Sequence, residues 1–254
     1  MAAPLSDGTV PSGNQQITVI CPALNESATI GPLCTAIRAL PMNVELLIVD
    51  DGSTDDTAER ARSAGATVIE HERTRGNGAA VKTGLARARG DFIVLIDGDG
   101  QHDPSAIPLL VQQLSAGADL VVGCRTSYRG SGLLRAIGNR ALALLASLAT
   151  GTRIPDLTSG FRAFRREHIL PLVPLLPEGF STPTTSTLAF LRSGLEVRFM
   201  SVPSPSTAPV RKTHTRLVRD GIRFITIVAR IASRRAKPRA QIADASILAA
   251  VKER

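Results

Sequence analysis

Short apolar runs rich in β-branched residues alternate with longer stretches of helical period through the first half of the chain. The runs cover 17–21, 44–49, 67–69, 92–96 and 120–123, and the intervening helices are expected over 27–40, 54–64, 79–88 and 104–114. This alternation is the pattern of βαβ units, so it predicts a mostly parallel, doubly wound sheet whose ligands gather beyond the carboxyl ends of its strands. Ser53 and Asp103 are the expected helix caps. Pro104 falls at a first helical position, where a missing N–H costs nothing. After Arg125 the alternation loosens. A long apolar helix over 133–149 leads into a turn-rich segment at 151–160, a short strand at 161–164, a helix at 185–193 and a strand at 196–202. The segment 217–232 has helical period, with Arg219, Arg223 and Arg230 on one face and Val218, Ile222, Ile225 and Ala229 on the other. It reads as a basic amphipathic helix, packed on the domain or lying on a membrane surface.

A chain of 254 residues can bury an adequate core without staples. Cys21, Cys34 and Cys124 are scattered and show no paired spacing, which argues against a disulfide framework or a zinc site and fits a reducing compartment. No basic-then-apolar signal precedes residue 17. The expected organisation is a leader at 1–16, a catalytic domain at 17–210 divided into a donor half (17–124) and an acceptor half (125–210), a basic loop and amphipathic helix at 211–236, and a tail at 237–254. No uncharged window approaches the roughly 18 residues of a membrane span. The run 141–152 reaches only 12.

The net charge of +8 is unevenly distributed. Residues 1–124 hold 8 basic and 15 acidic side chains, whereas 125–166 hold 8 basic residues against Asp156 alone. Residues 211–239 hold 10 basic residues against Asp220. This polarity suits an anionic acceptor or an anionic membrane surface. Nucleic acid is disfavoured, since no Trp and a single Tyr leave little to stack on bases.

Three strand ends carry the candidate chemistry: Cys21-Pro-Ala-Leu-Asn-Glu26, Val49-Asp-Asp-Gly-Ser-Thr-Asp55 and Asp97-Gly-Asp99. In a parallel sheet all three emerge on one edge. Carboxylates on the first two suit ribose hydroxyls and a base N–H. The third suits a hard divalent cation, which takes one or two carboxylates and completes its shell with phosphate oxygens and water. Polar residues after a strand are also ordinary loop chemistry, so it is the series of three that carries weight. Gly76 and Gly78 lack the preceding strand and third glycine of a dinucleotide fingerprint. Arg135 and Arg140, read alone, are solvated arginines on a helix of Leu and Ala. His102, beside the Asp103-Pro104 cap, suits a structural hydrogen bond.

These blocks, with Arg75-Gly-Asn-Gly-Ala79, Gly84, Gly123-Cys-Arg125 and Asp156-Leu-Thr-Ser-Gly-Phe-Arg162, resemble family 2 glycosyltransferases, specifically the polyprenyl-phosphate branch typified by dolichyl-phosphate mannose synthase. The resemblance runs from about Ile17 to Arg230. It implies a GT-A type, Rossmann-like α/β fold with a C-terminal acceptor-binding extension. It further implies inverting, Mg2+- or Mn2+-dependent transfer of a hexose from a nucleotide-diphosphate sugar to a polyprenyl phosphate, with mannose from a guanosine donor slightly preferred over uridine-linked sugars. By resemblance, Pro22, Leu24, Glu26, Val49 and Asp51 hold base and ribose, and Asp97 and Gly98 floor the ribose and diphosphate. Asp99 and Gln101 ligate the metal. Arg125 and Lys212 attend the donor diphosphate, Arg135, Asn139 and Arg211 the acceptor phosphate, and Asp156 orients the acceptor or takes a residual proton. The family usually shows a Gly-Lys-Ser-Lys-like run where this chain reads Arg211-Lys-Thr-His214. Such an enzyme is expected in the cytoplasm or on the cytoplasmic face of a membrane. Competing readings are a family 2 enzyme with a soluble or polysaccharide acceptor and, remotely, a receiver-like regulator suggested by Ile48-Val-Asp-Asp51.

Overall fold

The computed structural model describes residues 15–125, 133–179 and 181–203. Seven strands form one mixed sheet in the order β3-β2-β1-β4-β6-β5-β7. β1 (Ile17–Ala23), β2 (Val44–Asp50), β3 (Thr67–Glu70) and β4 (Phe92–Leu95) are mutually parallel, as their alternation with helices requires. β6 (Arg162–Arg165) is inserted antiparallel between β4 and β5 (Leu120–Arg125), and β5 pairs in parallel with β7 (Val197–Val202). Two reversals cancel. β5 therefore runs in the same direction as β4, and its last residue, Arg125, reaches the edge at which β1, β2 and β4 end.

Both faces of the sheet are covered. Val19, Cys21, Leu46, Ile48, Val94 and Val121 point to one face, where α1 (Ile30–Arg38), α2 (Thr57–Ser63) and α4 (Ile107–Ser115) bury Ile30, Leu33, Ala61, Leu110 and Leu114 against them. The alternate residues Ile20, Val49, Ile93, Leu95, Leu120 and Val122 point to the other face. There they meet Ala80, Val81 and Leu85 of α3 (Asn77–Arg87), Leu172, and Phe190 of α7 (Thr182–Arg192). Strands buried on both sides are continuous apolar runs for this reason. α5 (Leu133–Thr150) lies outside this sandwich, and its Leu142 and Ala146 pack on Ile154, Leu157 and Leu188. A short α6 (Arg166–Ile169) and a 3-10 turn over Leu170–Leu175 connect β6 to the loop before α7.

Two expectations are corrected in the helices. α1 starts at Ile30, three residues later than its apolar pattern suggests, because Thr29 Oγ1 spends its proton on the Gly98 carbonyl at 2.7 Å and holds 26–29 as a turn. Ser53 does not cap α2, whose N-cap is Asp56. Ser53 Oγ instead accepts the Asn25 N–H at 2.9 Å. Asp103 does act as a cap, taking the Ser105 N–H at 2.9 Å with Pro104 next in line.

Candidate active site

The loops after β1, β2 and β4 are bonded to one another. Asn25, the single non-glycine residue at positive φ (56°) among the described residues, turns its Oδ1 to the Thr54 N–H at 2.8 Å. The Glu26 N–H donates to Thr57 Oγ1 at 2.8 Å, and Thr57 Oγ1 donates in turn to Asp55. Burial works against the Asp55 anion, but the hydroxyl of Thr57 and the N–H groups of Ser27 and Thr57 outweigh it and hold this carboxyl below its usual range. Thr29, bonded to Glu26 as well as to Gly98, ties the first loop to the third.

Asp51 is buried at the end of β2. Its Oδ1 accepts the Arg75 N–H at 2.9 Å and its Oδ2 the Gly76 N–H at 2.7 Å, so it anchors the loop that enters α3. His71 Nδ1 lies 2.7 Å from Asp51 Oδ1, and Nε2 lies 2.9 Å from Thr83 Oγ1. Nothing in the sequence marked His71 as this carboxylate's partner. Gly52, at φ +80°, is pressed against the same loop, and a Cβ there would stand 2.8 Å from the Arg73 carbonyl carbon.

Asp97 and Asp99 follow β4. The Gln101 N–H donates to Asp99 Oδ1 at 3.0 Å, closing a turn that brings the Gln101 side chain to the same loop. His102 is buried beneath, its ring 5.2 Å from that of Phe161 and its Nε2 3.9 Å from Asp97 Oδ2. Cys21 lies under Gly98, whose Cβ would come 3.3 Å from Sγ. Burial raises this thiol's pKa, and the neighbouring charges of Cys34, Asp97, Asp99 and Glu26 push it further the same way, which reports how closely those carboxylates gather over the end of β1.

The fourth wall is the segment before β6. Ser159 Oγ donates to the Gly123 carbonyl at 2.7 Å, and Gly160 is packed so tightly on the Asp97 carboxylate that any Cβ would collide with it. Asp156, also buried, accepts the Thr158 N–H at 2.9 Å and the Ser159 N–H at 3.1 Å through Oδ1, while Oδ2 has no hydrogen-bond partner among the described residues. Arg162 is completely buried. Its guanidinium donates to the carbonyls of Ser159 and Pro183 and to the hydroxyls of Ser186 and Thr187. Burial lowers its pKa to about 10, against the opposing pull of Asp156 and Asp97.

Pro22, Glu26, Asp51, Asp97, Gly98, Asp99, Gln101 and Asp156 thus meet along one sheet edge, joined there by the backbone of Arg125. Leu24 is partly exposed on the same rim. Val49 is fully buried, and its side chain serves the core under α3. Arg135 falls in the first turn of α5 and Asn139 one turn later on the side that faces the domain. Arg211 and Lys212 lie outside the described residues.

The sequence profile of glycosyl transferase family 2 matches residues 18–170. The chain belongs to this family. It is 32% identical over 186 residues to the dodecaprenyl-phosphate galacturonate synthase of Rhizobium johnstonii, covering 69% of this chain and 55% of that protein. Identity is 29% over 191 residues to the undecaprenyl-phosphate 4-deoxy-4-formamido-L-arabinose transferase of Pseudomonas fluorescens, covering 68% and 56%. This family 2 chain therefore spans about half the length of the curated relatives it matches. Among solved structures it resembles glucosyl-3-phosphoglycerate synthase from Mycobacterium tuberculosis. In complex with phosphoglyceric acid the TM-score is 0.67 at 30% identity, over 86% of this chain and 80% of that one. The same enzyme with Mg2+ and uridine diphosphate gives 0.67 at 28% identity, again over 86% and 80%. The GT-A-like α/β fold expected from the resemblance is the fold observed, with β6 making the sheet mixed. Among the described residues, no helix is long and apolar enough to cross a membrane.

Proposed function

We propose that this chain transfers a sugar from a nucleotide-diphosphate donor to the phosphate of a polyprenyl phosphate, with inversion at the anomeric carbon. The observation that carries the reading is the gathering of Asp97, Asp99 and Gln101 over the end of β4, beside the bonded loops of β1 and β2 and under the wall formed by Gly160. Pro22, Leu24, Glu26 and Asp51 belong with the base and ribose in this reading. Asp97 and Gly98 floor the ribose and diphosphate, while Val49, buried in the core within β2, supports this edge from beneath.

The donor set suits Mg2+ or Mn2+. It offers hard oxygens from Asp99 and Gln101, with Asp97 adjacent, and no cluster of three or more His, Cys, Asp or Glu able to hold a metal occurs among the described residues. A shell that protein only begins and diphosphate and water complete is the usual arrangement for Mg2+. Bound there, the cation supplies Lewis-acid stabilisation of the departing diphosphate. The chain's own contribution is cationic and positional. Arg125 and Lys212 neutralise charge as the bond from the anomeric carbon to the diphosphate oxygen breaks and the bond from an acceptor phosphate oxygen forms. Arg135, Asn139 and Arg211 aim that phosphate. Its oxygens are already anionic near neutrality, since a phosphate monoester has a second pKa of about 6. Asp156 is then left with orienting the acceptor or taking a residual proton.

The relatives' names speak of galacturonate and formamido-arabinose, and the solved neighbour holds uridine diphosphate. The preference for mannose from a guanosine donor rests on resemblance alone, so uridine-linked sugars take equal place in the test. A second reading, a small soluble phosphorylated acceptor, is favoured by the phosphoglyceric acid bound to the solved neighbour. One experiment separates them. A panel of uridine- and guanosine-diphosphate sugars is incubated with Mg2+ or Mn2+ and either undecaprenyl phosphate or phosphoglyceric acid, and products are weighed by mass spectrometry. A glycosyl polyprenyl phosphate supports the proposal, and glycosylated phosphoglycerate alone replaces it with the second reading.

A further inference from the structure

α5 carries two apolar faces where one would suffice. Leu142, Ala143 and Ala146 are buried toward α7 and the 154–157 turn. Ile137, Leu144, Leu145 and Leu148 are 55%, 61%, 48% and 75% exposed, and they make up four of the seven exposed large hydrophobic residues among those described. At about 100° per residue, these four and Ala141 fall within an arc of about 100° directly opposite the buried face. Scattered exposed leucines need no explanation, but a stripe along three turns of one helix marks a contact surface.

The chemistry beside the stripe says what the contact is. α5 contains no Asp or Glu. Arg140, exposed, falls about 60° from Ile137 on the stripe's flank, and Arg153 stands exposed just beyond the helix end. A narrow leucine stripe with an arginine on its flank and no acidic residue in its helix matches the boundary between acyl chains and anionic headgroups, where the apolar face sinks in and the cation stays at the phosphates. α5 also begins eight residues after β5 delivers Arg125 to the site edge, so a helix lying on a bilayer would hold that edge close to a membrane-borne phosphate.

We propose that the Ile137–Leu148 stripe of α5 docks this chain on an anionic bilayer surface. This rests on the polyprenyl-phosphate reading for its purpose but not for its test. It places a membrane contact on a helix packed on the catalytic fold; the 217–232 segment lies outside the described residues.

The test is co-sedimentation of the full chain with phosphatidylglycerol/phosphatidylcholine vesicles and with phosphatidylcholine vesicles. L144D/L148D is compared with L109D/L175D, which places the same charges on exposed leucines elsewhere. Thermal unfolding of each variant shows that the fold is retained. The α5 pair should weaken binding to the anionic vesicles by about 10-fold or more, the control pair by less than about 2-fold, and R140E should weaken binding to anionic vesicles more than to neutral ones. Wild-type affinity in L144D/L148D overturns the proposal and points to another segment. Loss of a dimer by light scattering, with no vesicle binding by the wild type, overturns it in favour of a second copy on the stripe. If vesicle binding behaves as expected and no sugar reaches undecaprenyl phosphate, docking stands and the acceptor reading falls.

Discussion

The loops that follow β1, β2 and β4 bond mainly to one another, whereas the segment from Asp156 to α7 leaves buried polar atoms without a hydrogen-bond partner. On the first side, Asn25, Ser53, Thr54, Asp55 and Thr57 form a closed set, and Asp51 satisfies two backbone N–H groups and His71. On the second, Asp156 Oδ2 and the hydroxyls of Thr182, Thr184 and Thr185 are buried without a partner among the described residues. The difference separates two ways of building a site. A closed network fixes its geometry in advance, so binding costs little reorganisation. An unsatisfied buried hydroxyl costs about 1–3 kcal/mol, a cost that the rest of the fold must offset. The loops after β1 and β2 are thus held by their own bonds, whereas the segment from Asp156 to α7 keeps buried oxygens that the described residues leave unbonded.

Replacing Asp99 by Asn should separate chemistry from folding most sharply. Metal-dependent transfer should drop about 100- to 1,000-fold while the urea midpoint stays near the wild-type value, and an unchanged rate would remove Asp99 from the site. The opposite outcome is expected on the other side for Arg162→Met. Four acceptors on Ser159, Pro183, Ser186 and Thr187 lose their donor, so stability should fall by about 3 kcal/mol or more in urea unfolding. A lysine there should restore only part of it, because one ammonium cannot reproduce the fork of a guanidinium.

Gly160→Ala probes the seam between the loop after β4 and the segment before β6. The added methyl must turn the Asp97 carboxylate aside, so turnover should fall about 10- to 100-fold with a stability loss near 1 kcal/mol. Equal activity would show that Asp97 tolerates displacement. Asp55→Asn is the mildest change. Its carboxyl is held below its unfolded pKa, so its contribution is present above the unfolded value near 4 and is lost as pH falls through the folded value. The stability gap between wild type and this variant should therefore be small at pH 7, below about 1 kcal/mol for so exposed a group, and should shrink as pH falls below about 4.

The four parallel strands of the first half were legible because they are mainly apolar runs rich in β-branched residues and each is followed by polar residues. β6 was less so. Arg162-Ala-Phe-Arg165 is only four residues long, and alternation within a strand carries no information about its direction, so the antiparallel insertion appears only when pairing is seen. The burial of Arg162 stayed hidden for another reason: arginine is among the residues least often buried, and its partners are neutral oxygens, the Ser159 carbonyl and groups of a helix twenty residues on. His71 sits between Glu70 and Glu72 with no periodicity to mark it, and its role depends on the loop geometry around Gly52. The stripe on α5 was visible as leucine and alanine, but the sequence could not say which of its faces the domain would cover.

The placement of β6 also sets a condition on synthesis. The strands β3, β2, β1 and β4 can pair as soon as residue 95 has emerged, but the free side of β4 stays unpaired until residues 162–165 arrive. For some seventy residues of translation, at about 5–20 residues per second, a nascent chain displays Phe92-Ile-Val-Leu95 as an open edge, the kind of template on which neighbouring chains aggregate. Expression yield should then depend on how fast the ribosome delivers the second half.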